Sequence, residues 1–543
     1  NHFNIDKDSD YKNGMYVRLC TFFVHLCTTN RQTIFLIHIK DNHLQVWHII
    51  CLSSGMKQIL SILICVLFPL QLWGQKTLTL TLGEAIEMAR QHSPEAIAAR
   101  HAFRASYWNW RSFRAKQLPS LTLTSDPSLN RSIQSVTLED GSDKFVHRNQ
   151  LSVDAGLEIQ QNIALTGGTV LLKTGLQRLD MFTDNVSSYK STPVVIGYEQ
   201  NLFGYNYLKW ERRIEPIKFE EAKKAYIETL ELVAAYTTNR FFNLASAQTS
   251  LEIAEYNFAY ADTLYRYAQG RYNIGTITEN EMLQLELNKL TEQTNRLNAQ
   301  IDVDDYIQSL RSYLGISENI TLAVIPDDSI PRFTVNVEEA MQLAFQNNPD
   351  ISAFERRRLE SESSVAEAKA NRGFKAELYA QFGLTQSNEK LKESYRNPMD
   401  QQLVTLGIRI PILDWGVGKG RVKVAKSNRD KVYTQLEQER MDFELNVAKM
   451  VKQFNLQANK VMIAEKTDQT AQRRNDVARR LYLLGKSSIL DLNAAISEKD
   501  NSRRAYISAL YNYWSLYYGL RSLTGYDFEK QIPIVEDYEL LLK

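Results

Sequence analysis

Twice along this chain, short alternating segments give way to very long helix. In "QLVTLGIRIPIL" (402–413), Leu403, Thr405, Gly407 and Arg409 alternate with Val404, Leu406, Ile408 and Ile410. That two-residue period predicts a strand with one apolar face. "AELYAQFGLTQ" (376–386) precedes it, and "SLTLTS" (120–125) and "PVVIGYEQNLF" (193–203) hold matching places earlier. "LSVDAGLEIQQNIALTGGTVLLKTGLQRL" (151–179) reads as a further hairpin turning at Thr166-Gly167-Gly168. Residues 217–269 and 421–484 contain neither Pro nor Gly. At ~1.5 Å per residue they predict rods of roughly 80 and 95 Å. Each rod ends in a glycine turn and returns through 276–314 or 486–518. On the first return Leu283, Leu287, Leu290, Thr294, Leu297 and Ile301 step by four and three, the spacing of a coiled-coil seam.

The same order occurs twice because the chain repeats itself. "LGEAIEMARQHSPEA" (82–96) returns as "VEEAMQLAFQNNPDI" (337–351) at an offset of 255. "RYNIG" (271–275) returns as "LYLLG" (481–485), and "SYLG" (312–315) as "SLTG" (522–525), at an offset of 210. The first copy therefore carries 45 more residues, which lie between Pro94 and Gly197. One opening helix is expected per copy, about 82–115 and 336–372. Thr81 or Asn336 starts each, with an acid three positions on, as in a capping box. The returns fall short of the rods by about the length of an opening helix, so the two could stack end to end.

Composition narrows the class. With 543 residues and 64 basic against 63 acidic side chains, net charge is +1, and no basic block points to nucleic acid. All four cysteines (Cys20, Cys27, Cys51, Cys65) precede residue 66, a pattern that suits export without reliance on disulfides. "MKQILSILICVLFPLQLWGQ" (56–75) has Lys57 before a 14-residue apolar core, Ile59–Leu72. That core is shorter than the ~20 residues that span a bilayer and reads as a secretory signal. Residues 1–55 begin without Met and show no sustained period, so they are expected to be non-native upstream sequence. The expected divisions are then 76–332 for the first repeat, 333–530 for the second and 531–543 for a tail. The expected fold class is α+β, mostly α.

Rods this long cannot bury a compact core and must pack laterally. Four to six strands cannot close a barrel alone, since the smallest outer-membrane barrels need about eight. Two outcomes remain open: an oligomer that closes both layers, or an exported coiled-coil scaffold whose sheets face water. The opening "LGEAIEMARQHSPEA", the strand-to-helix "IPILDWGVGKGRVKVAK" (410–426), the turn "RYNIGTITENEML" and the closing "SYLG", in order and in duplicate, resemble the TolC-like outer-membrane efflux protein family over about 78–527. The resemblance implies a homotrimer whose strands jointly form one transmembrane β-barrel and whose helical hairpins form a tunnel across the periplasm. It implies a passive exit duct of a tripartite efflux or type I secretion system. The implied partners are a periplasmic adaptor, an inner-membrane pump and outer-membrane lipid.

Pro411 cannot donate to a sheet ladder and should end its strand, while Gly416 lets the chain turn from barrel wall to tunnel wall. Trp415 fits either a membrane–water interface or an ordinary packing anchor. Asn201 stands in place of the proline in the first copy, so a softer bend is expected there. By resemblance Asp491 matches a pore-lining acidic ring, Tyr482 and Glu281 match cross-hairpin gate contacts, and Ser487 stands where a basic residue is usual. Asp491 and Glu281 are also plausible helix-start caps. The tip turns Gly275-Thr276 and Gly485-Lys486 match adaptor-docking positions. The sequence holds no HExxH, P-loop or GxSxG, and His92 and His101 are nine apart, so neither an enzyme nor a metal or other cofactor is expected.

Overall fold

The computed structural model describes the backbone of residues 23–29, 32–41 and 44–51, and residues 77–317 and 320–542. The segment expected to be a secretory signal, 56–75, lies outside the described residues. The chain divides into two units, Asn1–Lys76 and Thr77–Lys543. In the first, strands β1 (Phe23–Thr29), β2 (Gln32–Asp41) and β3 (Leu44–Cys51) form an antiparallel meander where the sequence showed no clear period.

The second unit opens with β4 (Thr77–Leu80), then α1 (Leu82–His92) and α2 (Pro94–Ala115). Thr81 and Glu84 make the expected capping box. The single opening helix expected in each copy is in fact broken in two. Ser93 is extended (φ −65°, ψ 145°) because the following proline disfavours the helical region. Its hydroxyl then caps α2 by accepting from the Ala96 N–H at 3.1 Å. The second copy breaks the same way at Asn348, between α5 (Val337–Asn347) and α6 (Pro349–Ala370). There Asn336 caps α5 through the Glu338 N–H and makes no box with Glu339.

The long helices are α3 (Tyr207–Asn273) and α7 (Val417–Leu483), each of 67 residues and in register at the 210 offset. Each rod is about 100 Å long. α3 begins earlier than the Pro/Gly-free stretch suggests and runs through Pro216. Losing one N–H there costs one helical hydrogen bond, and the flanking Leu208 and Ile214 remain buried. The returns are α4 (Glu279–Tyr313) and α8 (Ile489–Thr524). End-to-end stacking occurs as expected. Gly315 (φ +69°) abuts His92, where a Cβ would lie 3.0 Å from the carbonyl oxygen. Its equivalent Gly525 (φ +58°) abuts Asn347, and the Asn347 amide donates to the Thr524 carbonyl at 2.8 Å. Packing runs α4–α3–α8–α7 through the lower half and α2–α3–α6–α7 through the upper half. The core around these crossings includes Phe241, Leu244, Phe454, Leu510 and Tyr513, all essentially buried. The tail packs too, with Tyr538 of α9 (Tyr538–Leu542) against Phe103 at 5.2 Å between ring centres.

The principal sheet holds β5 (Ser120–Thr124), β6 (Ser128–Thr137), β7 (Asp143–Ile163), β8 (Gly168–Met181), β9 (Val186–Leu202), β11 (Lys375–Asn388) and β12 (Met399–Arg409). Its order is β12-β11-β9-β8-β7-β5, all antiparallel. β6 pairs along the same edge of β7 beyond β5, so the two act as one interrupted strand. The surplus of the first copy therefore enters the sheet itself. β10 (Thr321–Val324) pairs separately and in parallel with β4. The sheet stays open at β12 and at β5/β6, so one chain closes no barrel. Among the described residues no helix is long and apolar enough to cross a membrane.

Candidate functional site

Three places gather the residues singled out by sequence: the hairpin tips, the strand-to-helix junctions and the two lateral edges of the molecule.

At the tips the copies are built alike. Ile274 ends α3 and Gly275 adopts φ +73°, its N–H donating to the Tyr272 carbonyl (2.9 Å) while Thr276 N–H donates to Arg271 (2.9 Å). Gly485 (φ +69°) and Lys486 repeat both bonds to Tyr482 and Leu481. This is a Schellman closure, which requires a left-handed residue and so favours glycine. Gly275, Thr276, Gly485 and Lys486 are all exposed. Each return helix then starts with a capping box, Thr278 with Glu281 and Ser488 with Asp491.

Glu281 and Asp491 are thus equivalent residues, and both carboxylates serve helix starts. Asp491 accepts from the Ser488 hydroxyl at 2.7 Å, from the Ser488 N–H at 3.3 Å and from the Ser487 hydroxyl at 3.4 Å. The Ser488 hydroxyl, then these other donors, hold its carboxyl below the usual aspartate range. Ser487 therefore joins Asp491 rather than Tyr482. Tyr482 is half-buried against the tip cluster of Leu264, Ala268, Leu285 and Leu492, which unites both hairpins. Burial raises its phenol, Arg271 opposes that and Glu281 adds to it. Arg271 is the tip cation that the sequence reading missed, because its counterpart in the second copy is Leu481. Further up, Arg479 donates to the Tyr256 hydroxyl at 2.7 Å and Asn257 to Asp500 at 2.7 Å, stitching α3 to α7 and α8.

At the second-copy junction β12 ends at Arg409, just before Pro411. In the first copy β9 runs on through Asn201 to Leu202, as the missing proline allows. Trp415 (φ +51°) is 88 % exposed, and Gly416 (φ +86°) is the N-cap position of α7. The cap itself comes from Asp414, which sequence reading overlooked. Its carboxylate accepts from Gly418 (2.8 Å) and Gly416 (2.9 Å), and those bonds lower its pKa. A Cβ on Gly418 would stand 2.9 Å from Asp414 Oδ2, so glycine is needed for that approach. Asn206 plays the same part for α3, accepting from Lys209 N–H at 3.0 Å.

The lateral edges are apolar. On α4 the expected seam is exposed: Leu283, Leu287, Leu290, Leu297 and Ile301 are 46–66 % accessible. The residues that α4 buries in its own chain, Leu285, Ala299 and Val303, lie about half a helical turn away. α7 at the other edge does likewise. Leu456, Ile463 and Val477 recur at multiples of seven and stay exposed, opposite the buried Phe454 and Val461. Among the described residues no cluster of three or more His, Cys, Asp or Glu side chains is placed to hold a metal.

A duplicated pair of long helical hairpins hung from an antiparallel sheet, open at both edges, is the fold of the outer-membrane efflux channels. The chain belongs to the outer membrane efflux protein family, whose model matches residues 85–316 and 340–526, one segment per repeat. Its place is therefore the outer membrane, reaching into the periplasm, and its family is one of transport proteins rather than enzymes. Solved channels share the fold. The outer membrane channel CmeC of Campylobacter jejuni is 15 % identical with a TM-score of 0.60, over 84 % of this chain and 88 % of that one. VceC of Vibrio cholerae is 15 % identical at 0.57, over 82 % and 96 %. MtrE of Neisseria gonorrhoeae, in its open state, is 14 % identical at 0.56, over 84 % and 91 %.

Proposed function

We propose that three copies close into one passive exit duct, fed by an inner-membrane pump through a periplasmic adaptor. The observation that carries this is the agreement of the two layers about where a neighbour must sit. The sheet is unpaired at β12 and at β5/β6, and the helical layer has unpartnered seams on α7 and α4. β12 leads into α7, so one flank of the molecule offers both edges, and the other flank offers both complements. Strand edges left unpaired in hydrocarbon cost several kcal/mol per backbone group, and closure removes that cost. The exposed tips, with apolar Ile274 (74 %) and Leu484 (68 %) beside Gly275, Thr276, Gly485 and Lys486, are the surface offered to the adaptor. Asp491, threefold repeated, is the acidic ring of the mouth, with Tyr482, Glu281 and Ser487 around it.

Extraction and planar-bilayer recording test this reading. The protein is expected to require detergent and to conduct ions with a cation preference, and Asp491→Ala is expected to weaken that preference. A water-soluble, non-conducting monomer would overturn the duct and favour a scaffold. An unchanged preference in the variant would remove Asp491 from the mouth.

A further inference from the structure

We propose that hairpin β7–β8 is a full-height part of the lipid-facing wall, so that three copies, each giving six strands, build a barrel of eighteen. This rests on the channel reading above and concerns how its membrane part is made.

Leu121 lies opposite Ile159, Ile159 opposite Leu172, Leu172 opposite Ile196, and Ile196 opposite Phe382. This single row crosses β5, β7, β8, β9 and β11 without a polar side chain, and its members are 38–67 % exposed. β12 continues the apolar face with Val404, Leu406 and Ile408, opposite Ala380, Leu378 and Ala376. One residue along, β5, β7 and β8 turn polar, and the row ends on the buried Val195 of β9. Thr122 faces Glu158, Glu158 faces Lys173, and Lys173 faces Val195. Glu158 and Lys173 form an ion pair at 2.8 Å on that second face. Side chains alternate between sheet faces, so one face is apolar and the other carries the charge. A water-filled barrel in lipid demands this division, whereas a hairpin projecting into water has no use for Ile159 and Leu172 side by side.

The turn of the hairpin fixes its depth. Residues 164–167 sit at the strand-to-helix junction, not at the far end of the sheet. The Asn206 amide, which caps α3, donates to the Ala164 carbonyl at 3.0 Å, and Gln200 donates to Thr166 at 2.9 Å. Gln161 donates to the Gln117 carbonyl at 3.0 Å, in the link between α2 and β5. A Cβ on Gly167 (φ +78°) would meet the Asn206 side chain at 2.9 Å. From that anchored turn β7 and β8 run 21 and 14 residues outward, more than the ~9–11 that a transmembrane strand needs. Six is even, so β12 of one copy and β5/β6 of the next run antiparallel. Barrel diameter grows with strand number, and barrels of about 16–18 strands keep an aqueous lumen. The exit through the membrane is then wide, and any constriction of the duct lies at the helical tips.

Site-directed spin labelling of the exported protein in liposomes tests this; residues 77–543 contain no cysteine, so each introduced cysteine is the sole labelling site there. Ile159→Cys and Leu172→Cys are expected to collide with oxygen and to be shielded from a water-soluble nickel chelate, as is Phe382→Cys, the wall reference. Glu158→Cys and Lys173→Cys are expected to show the inverse ratio. If loss of their ion pair upsets folding, Thr122→Cys reads the same face. Nickel access at 159 and 172 equal to that at 158 and 173, with Phe382 still in lipid and conductance retained, would overturn the hairpin's place and leave the channel intact. Nickel access at Phe382 as well, without conductance, would overturn both readings.

Discussion

Replacing Leu290 and Leu297 on α4 together by glutamate is expected to leave a folded chain that no longer assembles or conducts. Both leucines are more than half exposed and face away from their own hairpin. Their loss should therefore change monomer stability by no more than the ~0.5 kcal/mol typical of surface positions. In the proposed ring the same side chains would be buried against the α7 seam of the next copy. Burying one leucine stabilises by roughly 1.5–3 kcal/mol, so each interface forfeits about 3–6 kcal/mol. An unpaired carboxylate at such an interface adds a desolvation cost of its own. Light scattering of the detergent-solubilised protein should report monomers, circular dichroism an unchanged helical melt, and planar bilayers no channels. A variant that remained trimeric and conducting would show that the seam faces solvent and not a neighbour.

Glu231→Ala is expected to be the most destabilising single change in the helical layer. Glu231 on α3 is fully buried, yet it receives two guanidinium groups from elements far away in sequence. Arg521 of α8 binds it at 2.7 and 3.1 Å, and Arg90 of α1 binds one of the same oxygens. Arg521 also pairs with Asp527, while Tyr517 and Tyr518 lie 5.5 and 5.7 Å from its guanidinium. Burial disfavours the charged guanidinium, but Glu231 and then Tyr517 hold its pKa above the ordinary value; arginine stays protonated in proteins, so its charge persists when Glu231 is removed. Deleting one partner of a buried ion pair typically costs about 3–5 kcal/mol, because the remaining charge is uncompensated. Chemical denaturation should therefore show a loss of that size, with Glu231→Gln intermediate, since the amide retains an acceptor. A loss below about 1 kcal/mol would mean that water enters the site and that the network is not a structural tie.

These two cases differ in how far the sequence discloses them. The α4 seam is local, written in one helix as a repeating spacing, and so are the capping boxes at Thr81, Thr278 and Ser488 and the glycines of both tips. The duplication made rod length legible, since two copies agreed on it. The breaks at Ser93 and Asn348 had local signals too, in Pro94 and Pro349, but the single helices expected over 82–115 and 336–372 ran through them. The Glu231 network was not visible, for its arginines stand 141 and 290 residues away. Nor was it duplicated: the counterparts of Arg90 and Glu231 are Phe345 and Met441. β6 escaped notice because Leu129 and Ile133 stand among polar residues with little contrast, and the strand exists by pairing with β7. At the tips, sequence located the carboxylates, but only geometry shows that Glu281 and Asp491 are tied first to their own helices.

The two hairpins share a backbone down to their turn bonds, yet Arg271 sits at one tip where Leu481 sits at the other. In the proposed ring of three, the mouth has six lobes of two alternating kinds, one with its cation on the last helical turn, Arg271, and one with a cation in the turn itself, Lys486, where the first copy has Thr276. An adaptor surrounding such a mouth would meet two chemically distinct clefts, and so would dock in a fixed rotational phase instead of slipping by sixty degrees.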